Sequence, residues 1–230
     1  MEKPGVAARY LASWSGGKDS CYATYLALQQ GLDIAHLVHF NRPMNLHGMN
    51  PAMIRLQAEL AGIPFLQKNV RSEDFEREFK KTVIDARAER VRGMVFGDIY
   101  LEPHREWIDR VSAELGITAA LPLWGVPTEK ILTDFLAAGF ETIIVSGQQD
   151  RIEKKWIGRT MDTEFMDYLK ARNLDVCGEN GEFHTFVTAG PLFKGRISVT
   201  KQDVVSRDGF WFLDIQQHTV VPEHDRSVRG

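Results

Sequence analysis

Short apolar runs alternate with helical patterns through the first two-thirds of this chain, and this alternation limits the possible folds more than any other feature. Parallel strands need a crossover of a dozen or more residues, which an α-helix usually supplies. The pattern therefore predicts an α/β fold with a doubly wound, mainly parallel sheet. The runs predicted as strands are residues 9–14, 34–40, 63–70, 93–99 and 142–147. The segments predicted as helices are residues 19–31, 50–62, 72–92, 102–116 and 128–140.

The pattern changes near residue 150, where alternating β and α segments give way to a β-rich part. Residues 151–173 are polar and partly helical. Three strand-like runs follow, at 183–190, 196–206 and 210–218. Asp208-Gly209 between the last two is typical of a hairpin turn. We therefore expect a nucleotide-type domain over residues 1–125, a smaller α+β domain over residues 126–222 and a flexible tail over residues 223–230.

Composition excludes several classes of function. Among 230 residues, 43% are hydrophobic and 26% charged, which is typical of a soluble protein with a core. The net charge of −3 gives no bulk attraction to nucleic acid or to an anionic membrane, so we expect neither as a partner. Cys21 and Cys177 form no metal-ligand spacing, and no long apolar segment is present. We expect a cytoplasmic protein, for which a homodimer is plausible.

The stretch SWSGGKDS, residues 13–20, joins the first predicted strand to the first predicted helix. Gly16 and Gly17 carry no side chain, so backbone N–H groups there can approach an anion closely, and the helix adds its positive dipole end. Lys18 supplies a point charge, and Ser15 and Ser20 can donate hydrogen bonds to phosphate oxygens. These residue types indicate a phosphate-binding loop, although Gly, Ser and Asp also occur in ordinary tight turns.

The loop is not a Walker A motif, because Ala12 stands where that motif needs a glycine and Asp19 where it needs Ser or Thr. Asp19 would repel a bare phosphate and better suits helix capping or a bound Mg²⁺. The stretch resembles the SGGxDS loop of the PP-loop ATP pyrophosphatases, whose nucleotide domain is Rossmann-like. The resemblance implies that ATP is held by Ser15, Gly16, Gly17, Lys18, Asp19 and Ser20.

A second motif, CGENGEFHTFVTAGPLFKGRI at residues 177–197, is similar to the GExGE(Y/F)xT signature of the diphthine–ammonia ligase family, including its Pro-Leu-Phe-Lys continuation. Residues 46–65, 94–99 and 121–125 also resemble that family, so the resemblance covers most of residues 10–200. This chain has His184 where many members have an acidic residue. The Leu-His-Gly wording at 46–48 is similar to the prokaryotic branch.

The family resemblance implies an ATP-dependent amide ligase. The carboxylate of diphthine, the modified histidine of translation elongation factor 2, would attack the α-phosphate of ATP, and ammonia would then displace AMP from the acyl-adenylate. ATP and Mg²⁺ are the implied cofactors; ammonia and protein-bound diphthine are the implied partners. Two other hypotheses stay open: a PP-loop ligase that acts on a different carboxylate, and a nucleotide-binding module without turnover.

Two carboxylates of the second motif complete the predicted catalytic set with Lys18. Glu179 and Glu182 are three residues apart among glycines, so both can face one ligand from a loop. They would bind ammonium or the trimethylammonium group of diphthine, or orient the acceptor. The alternative is a solvated acidic turn. His184 and Thr185 are predicted to line the same substrate pocket, although His184 equally suits a packed or solvated strand position.

The remaining candidates follow predicted strands. Gly97 is counted with the ATP-binding residues; Asp98 would hold Mg²⁺ or a substrate group, or cap the next helix. Trp124 would form an aromatic wall for adenine or a quaternary amine, or pack in the core. His39 and His47 are further candidates for the adenine site, because they lie near the ends of strand-like segments.

Overall fold

The computed structural model describes residues 8–42 and 48–222. The candidate His47 and the predicted tail at 223–230 lie outside the described residues. The strands within the described part are β1 (Arg9–Ser13), β2 (Asp33–Asn41), β3 (Phe65–Asn69), β4 (Val91–Val95), β5 (Thr118–Ala120), β6 (Glu141–Gln148), β7 (Phe183–Ala189), β8 (Gly195–Arg207) and β9 (Phe210–Pro222). The helices are α1 (Lys18–Gln29), α2 (Pro51–Ala61), α3 (Phe75–Ala86), α4 (Glu102–Leu115), α5 (Thr128–Ala137) and α6 (Thr163–Ala171).

The chain divides into two compact units that interleave along the sequence. Within the described part, the first unit comprises residues 8–15, 19–42 and 63–125. The second unit comprises residues 16–18, 48–62 and 126–222. The domain bounds expected from the sequence, 1–125 and 126–222, stay a prediction. The units of the structure differ from these bounds, because the loop residues 16–18 and helix α2 belong to the second unit.

The first unit contains a five-stranded parallel sheet in the order β3-β2-β1-β4-β5, which confirms the predicted α/β fold. The direction of strand addition reverses between β1 and β4. Because β-α-β crossovers are right-handed, the connections before and after this reversal lie on opposite faces of the sheet. Helices α3 and α4 pack on one face, where Phe79, Val83 and Ile108 contact sheet residues such as Leu11 and Val38.

The predicted helix at 72–92 and the strand after it have different bounds in the structure. A 3-10 turn (Ser72–Asp74) precedes α3, which ends at Ala86, and a second 3-10 turn follows. Arg90 then adopts a left-handed backbone (φ 65°), which ends the helical course before β4 begins at Val91. Strand β5 was not predicted, because its three residues are too few to show a periodicity.

The prediction that residues 142–147 continue the parallel sheet is wrong. This run forms β6, which pairs antiparallel with β7 and β9 in a separate four-stranded sheet of order β7-β6-β9-β8. Six consecutive residues of β6 are buried. A continuous apolar run indicates burial on both faces, but it does not reveal the direction of the neighbouring strands.

The second unit agrees with the predicted α+β C-terminal part. Strands β8 and β9 form a hairpin in which Arg207 pairs with Phe210, and the turn residues Asp208 and Gly209 have φ values of 49° and 79°. Positive φ at both central positions is the geometry for which Asp-Gly is favoured. In neither unit does the described part contain a helix long and apolar enough to span a membrane.

Candidate active site

The ends of the loop at residues 15–20 are organised within the first unit. The hydroxyls of Ser15 and Ser20 lie 3.1 Å apart, and the Ser15 N–H donates to Ser20 Oγ at 3.3 Å. Gly97 lies against the start of α1: a Cβ at Gly97 would stand 2.9 Å from the carbonyl carbon of Asp19 and from Ser20 N. Gly97 is therefore a glycine because the backbone of α1 approaches it closely.

The middle of the loop is organised within the second unit, around Gly16. Its backbone has φ 81°, and its carbonyl accepts hydrogen bonds from Val187 N at 3.0 Å and from Gln57 Nε2 at 2.9 Å. Gln57 is fully buried and also donates to the Val187 carbonyl at 2.7 Å. A Cβ at Gly16 would lie 2.5 Å from Gln57 Oε1. Helix α2 and strand β7 together fix the loop at this glycine.

Lys18 joins the loop to the second motif. Its backbone N–H donates to Thr185 Oγ1 at 3.1 Å, and its Nζ donates to the Cys177 carbonyl and lies 5.6 Å from the ring centroid of Phe183. The side chain is only 4% exposed. The contacts join residues 167 and 159 positions apart in sequence. The two motifs singled out in the sequence therefore meet in the second unit.

The carboxylate of Glu182 holds its own loop together. It is 1% exposed and accepts hydrogen bonds from Asn180 N at 3.0 Å, from Asn180 Nδ2 at 3.2 Å and from Asp175 N at 3.4 Å. Arg151 Nη1 lies 3.8 Å from the same carboxylate. A buried carboxylate needs such donors, so a solvated acidic turn does not describe Glu182. Glu179 is half-buried.

His184 lies on β7 between Glu182 and Thr185. Burial, and secondarily the charge of Lys18, lower the pKa of His184 to about 4. The imidazole is therefore neutral at neutral pH and adds no positive charge beside Lys18. Thr185 is buried and accepts the hydrogen bond from the Lys18 backbone.

Asp98 lines a cavity of about 460 Å³ in the first unit, at the carboxyl ends of β1, β2 and β4. This is where the strand order reverses, and ligands of open α/β sheets bind at such a point. Asp98 Oδ1 lies 2.9 Å from His104 Nδ1. The helix-cap alternative is wrong for Asp98, because the N-cap of α4 is Leu101. The cavity is lined by Ser13, Phe40, Arg42, Phe75, Phe79, Phe96, Asp98, Pro103, His104, Trp107 and Ile108.

Trp124 and His39 lie elsewhere in the first unit. Trp124 is partly buried, and the Arg105 guanidinium carbon lies 5.3 Å from its ring centroid. His39 is buried with Nδ1 2.8 Å from the Trp14 carbonyl, so that nitrogen carries the proton. Burial lowers the pKa of His39. Its Nε2 has no hydrogen-bond partner among the described residues.

Several residues that shape the loop and the cavity were not identified as candidates from the sequence. Gln57 lies on the apolar face of α2 among Met53, Ile54 and Ala58, and a polar residue at such a position signals a buried hydrogen bond. The cavity residues Phe75 and Trp107 gave no comparable signal, because aromatic residues at helical spacing also occur in ordinary cores. Arg42 and His104 gave no comparable signal either. Across residues 8–42 and 48–222, no group of three or more His, Cys, Asp or Glu side chains is suited to hold a metal ion.

Comparison with known proteins gives one family for most of the chain. Residues 8–119 match the model of the diphthamide synthase N-terminal domain, and residues 127–221 match that of the diphthamide synthase C-terminal domain. The chain is also similar to proteins named diphthine–ammonia ligase. Those of Rattus norvegicus and Homo sapiens are each 26% identical, over 88% of this chain and 87% of the relative. That of Schizosaccharomyces pombe is 26% identical over 83% of this chain and 36% of the relative. The two matched domains account for both motifs and both units, and the chain belongs to the diphthamide synthase family.

Proposed function

We propose that this protein is an ATP-dependent ligase that converts the carboxylate of diphthine on elongation factor 2 into the amide of diphthamide. The family match supports an ATP-dependent ligase of diphthamide biosynthesis, and the relatives carry the name diphthine–ammonia ligase. The observation that carries the proposal is the contact between Lys18 and the second motif, in which Lys18 N donates to Thr185 Oγ1. If the loop binds ATP and the second motif binds the acceptor, the two motifs must lie close together for the acceptor to react with ATP.

The reaction has two steps. A carboxylate oxygen of the acceptor attacks the α-phosphorus of ATP, the bond to the β-phosphate oxygen breaks, and pyrophosphate leaves. Ammonia then attacks the acyl carbon, AMP leaves with the former carboxylate oxygen, and the nitrogen loses a proton to give the amide. Because the loop residues Gly16, Gly17 and Lys18 are positioned before the reaction, they lower the barrier by stabilising charge at phosphorus.

The proposal gives each predicted residue a role. Ser15, Gly16, Gly17, Lys18 and Ser20 hold the phosphates, Asp19 faces the Mg²⁺ that accompanies ATP, and Gly97 packs against the start of α1. Glu179 and Glu182 bind ammonium or orient the acceptor, and Glu182 also fixes the motif loop. His184 and Thr185 contact the acceptor. A histidine with a pKa of about 4 is a weak base toward ammonium, so His184 positions the acceptor and does not take the proton. Trp124 supplies an aromatic wall for adenine or a quaternary amine.

Mg²⁺ belongs to the proposal because it shields the phosphates of ATP during attack. Magnesium in nucleotide sites is usually held by one or two carboxylates together with substrate phosphates, so a protein cluster of three ligands is not required. Asp98 fits this requirement as a single partly exposed carboxylate. Asp98 holds either the Mg²⁺ that accompanies ATP or a charged group of the acceptor.

The test combines the protein with Mg-ATP, ammonium and diphthine-bearing elongation factor 2. We expect AMP, pyrophosphate and conversion of the acceptor carboxyl to an amide, with all three lost in Lys18→Ala. Lys154→Ala, which removes an exposed lysine, is the matched control and should keep full activity. AMP release without amide formation would keep the adenylation chemistry and favour a different carboxylate. ATP binding without any AMP release would favour a non-catalytic module, and ADP formation would contradict the PP-loop mechanism.

A further inference from the structure

One buried amide of the second unit has both of its hydrogens committed to the backbone. Gln57 lies on the apolar face of α2 and is fully buried. Its Nε2 donates to the Gly16 carbonyl at 2.9 Å and to the Val187 carbonyl at 2.7 Å. Burial of an amide costs free energy that an apolar side chain at the same position would not cost. The amide at position 57 therefore indicates a role for its two donors.

Gln57 acts at the edge of β7, which is the first strand of its sheet in the described part of the chain. In a hydrogen-bonded antiparallel pair, one residue both accepts from the N–H and donates to the carbonyl of the residue opposite. At Val187 two groups share these functions: its N–H donates to the Gly16 carbonyl at 3.0 Å, and its carbonyl accepts from Gln57. The Gly16 carbonyl thus has two donors, which fix its direction.

The direction of this carbonyl also determines the direction of the next N–H. The peptide between Gly16 and Gly17 is planar, and in a trans peptide the N–H points opposite to the carbonyl. The Gly17 N–H is therefore directed away from Gln57 and Val187. A peptide flanked by two glycines has the widest choice of backbone conformations, so an external restraint is needed to keep one orientation. Gln57 supplies part of that restraint.

We propose that Gln57 is a positioning residue for ATP, which holds the Gly16–Gly17 peptide in the orientation that presents the Gly17 N–H to a phosphate oxygen. This inference rests on the part of the proposed function that places the phosphates of ATP at the loop. Because Gln57 is fully buried, it acts through the peptide and not by contact with the nucleotide. A donor oriented before binding needs no reorganisation, and a hydrogen bond to a charged oxygen is worth about tenfold or more in affinity.

The test measures binding of α,β-methylene-ATP, an analogue in which carbon replaces the oxygen between the α- and β-phosphates. Gln57→Met nearly keeps the side-chain length but removes both donors. We expect this variant to bind the analogue at least about tenfold more weakly in calorimetry. In NMR, the Gly17 amide proton of the wild type should move downfield when the analogue binds, and Gln57→Met should lose this shift. Leu169→Ala, which empties a fully buried position of α6 in the same unit, is the control. It should lower the unfolding temperature and change neither readout.

Three results would overturn the inference: wild-type affinity in Gln57→Met, a Gly17 amide proton that does not move when the wild type binds the analogue, or an equal loss of affinity in Leu169→Ala. Gln57→Asn keeps the amide but is one carbon shorter, and it replaces Gln57→Met in the same test if that variant fails to fold. Lys18→Ala separates the two proposals. If Lys18→Ala binds the analogue as the wild type does, the loop is not the phosphate site and both proposals fail. If Lys18→Ala loses affinity and Gln57→Met does not, the inference alone fails.

Discussion

At the scale of single residues, the protonation of His184 determines the charge beside Lys18. Lys18 Nζ contacts a carbonyl and an aromatic ring, and the neighbouring His184 stays neutral because burial and Lys18 itself lower the pKa of His184 to about 4. An acidic residue at position 184 would instead place a second charge beside the lysine. The arrangement in this chain keeps positive charge next to the loop, which suits a triphosphate.

Stability should therefore depend on pH through His184. The pKa of an unfolded histidine is about 6.5, and that of His184 in the folded state is about 4. Between these values the unfolded state binds more protons, so the free energy of unfolding falls as pH is lowered from about 6.5 to about 4, by roughly 3 kcal/mol. Urea unfolding of the wild type and of His184→Gln, at neutral pH and near pH 4.5, measures this loss in the free energy of unfolding. The buried His39 acts in the same direction in both proteins, so the difference between them isolates His184. Parallel pH profiles would contradict the prediction.

At the scale of elements, Gly97 controls where α1 begins. Its hypothetical Cβ lies 2.9 Å from the backbone of Asp19 and Ser20, and backbone atoms cannot rotate away as a flexible side chain can. We expect Gly97→Ala to displace the start of α1 and to weaken ATP binding at least about tenfold, because this turn is the proposed binding site of the phosphates. Binding of ATP by calorimetry measures the effect.

Gly195→Ala provides the matched control for Gly97→Ala. A Cβ at Gly195 would lie 2.8 Å from the Val221 carbonyl oxygen, so it meets backbone just as closely, but it does so in the β8–β9 hairpin. Both variants should unfold at lower temperature than the wild type, and only Gly97→Ala should weaken ATP binding. Equal ATP affinity in the two variants would show that Gly97 has no specific role at the loop.

The sequence predicted most elements, because each carried its own local signal. Asn50 caps α2 through its side chain, and Gly62 ends the same helix with a left-handed backbone. The direction of β6 and the existence of β5 were not predictable, since pairing depends on distant partners and three residues show no period. Both loop motifs were recognisable by residue type, whereas the aromatic cavity is assembled from separate elements that look like ordinary core positions.

At the scale of the whole molecule, the two units are not consecutive along the chain. Helix α2 contributes buried Met53, Ile54 and Ala58 to the second unit, together with the hydrogen bond from Gln57 to the Val187 carbonyl. The Leu60 carbonyl also accepts from Lys194 N at 2.9 Å. A domain boundary predicted from the sequence divides the chain at one position. Such a boundary places α2 in the first domain, although α2 belongs to the second unit.

This interleaving predicts how fragments behave. Residues 126–230 alone lack α2, so they lose the burial of two large apolar side chains, each worth about 1.5–3 kcal/mol, and leave buried hydrogen-bonding groups unpaired. We expect this fragment to unfold without a cooperative transition near that of the full chain. Joining residues 44–62 to it through a Gly/Ser linker should restore cooperativity, measured by calorimetry and urea unfolding. The same fusion carrying Ile54→Asp, which places a charge at a buried position, should not restore it. If residues 126–230 alone unfold as cooperatively and at the same temperature as the fusion, the single boundary expected from the sequence is the correct one, and α2 contributes no stability to the second unit.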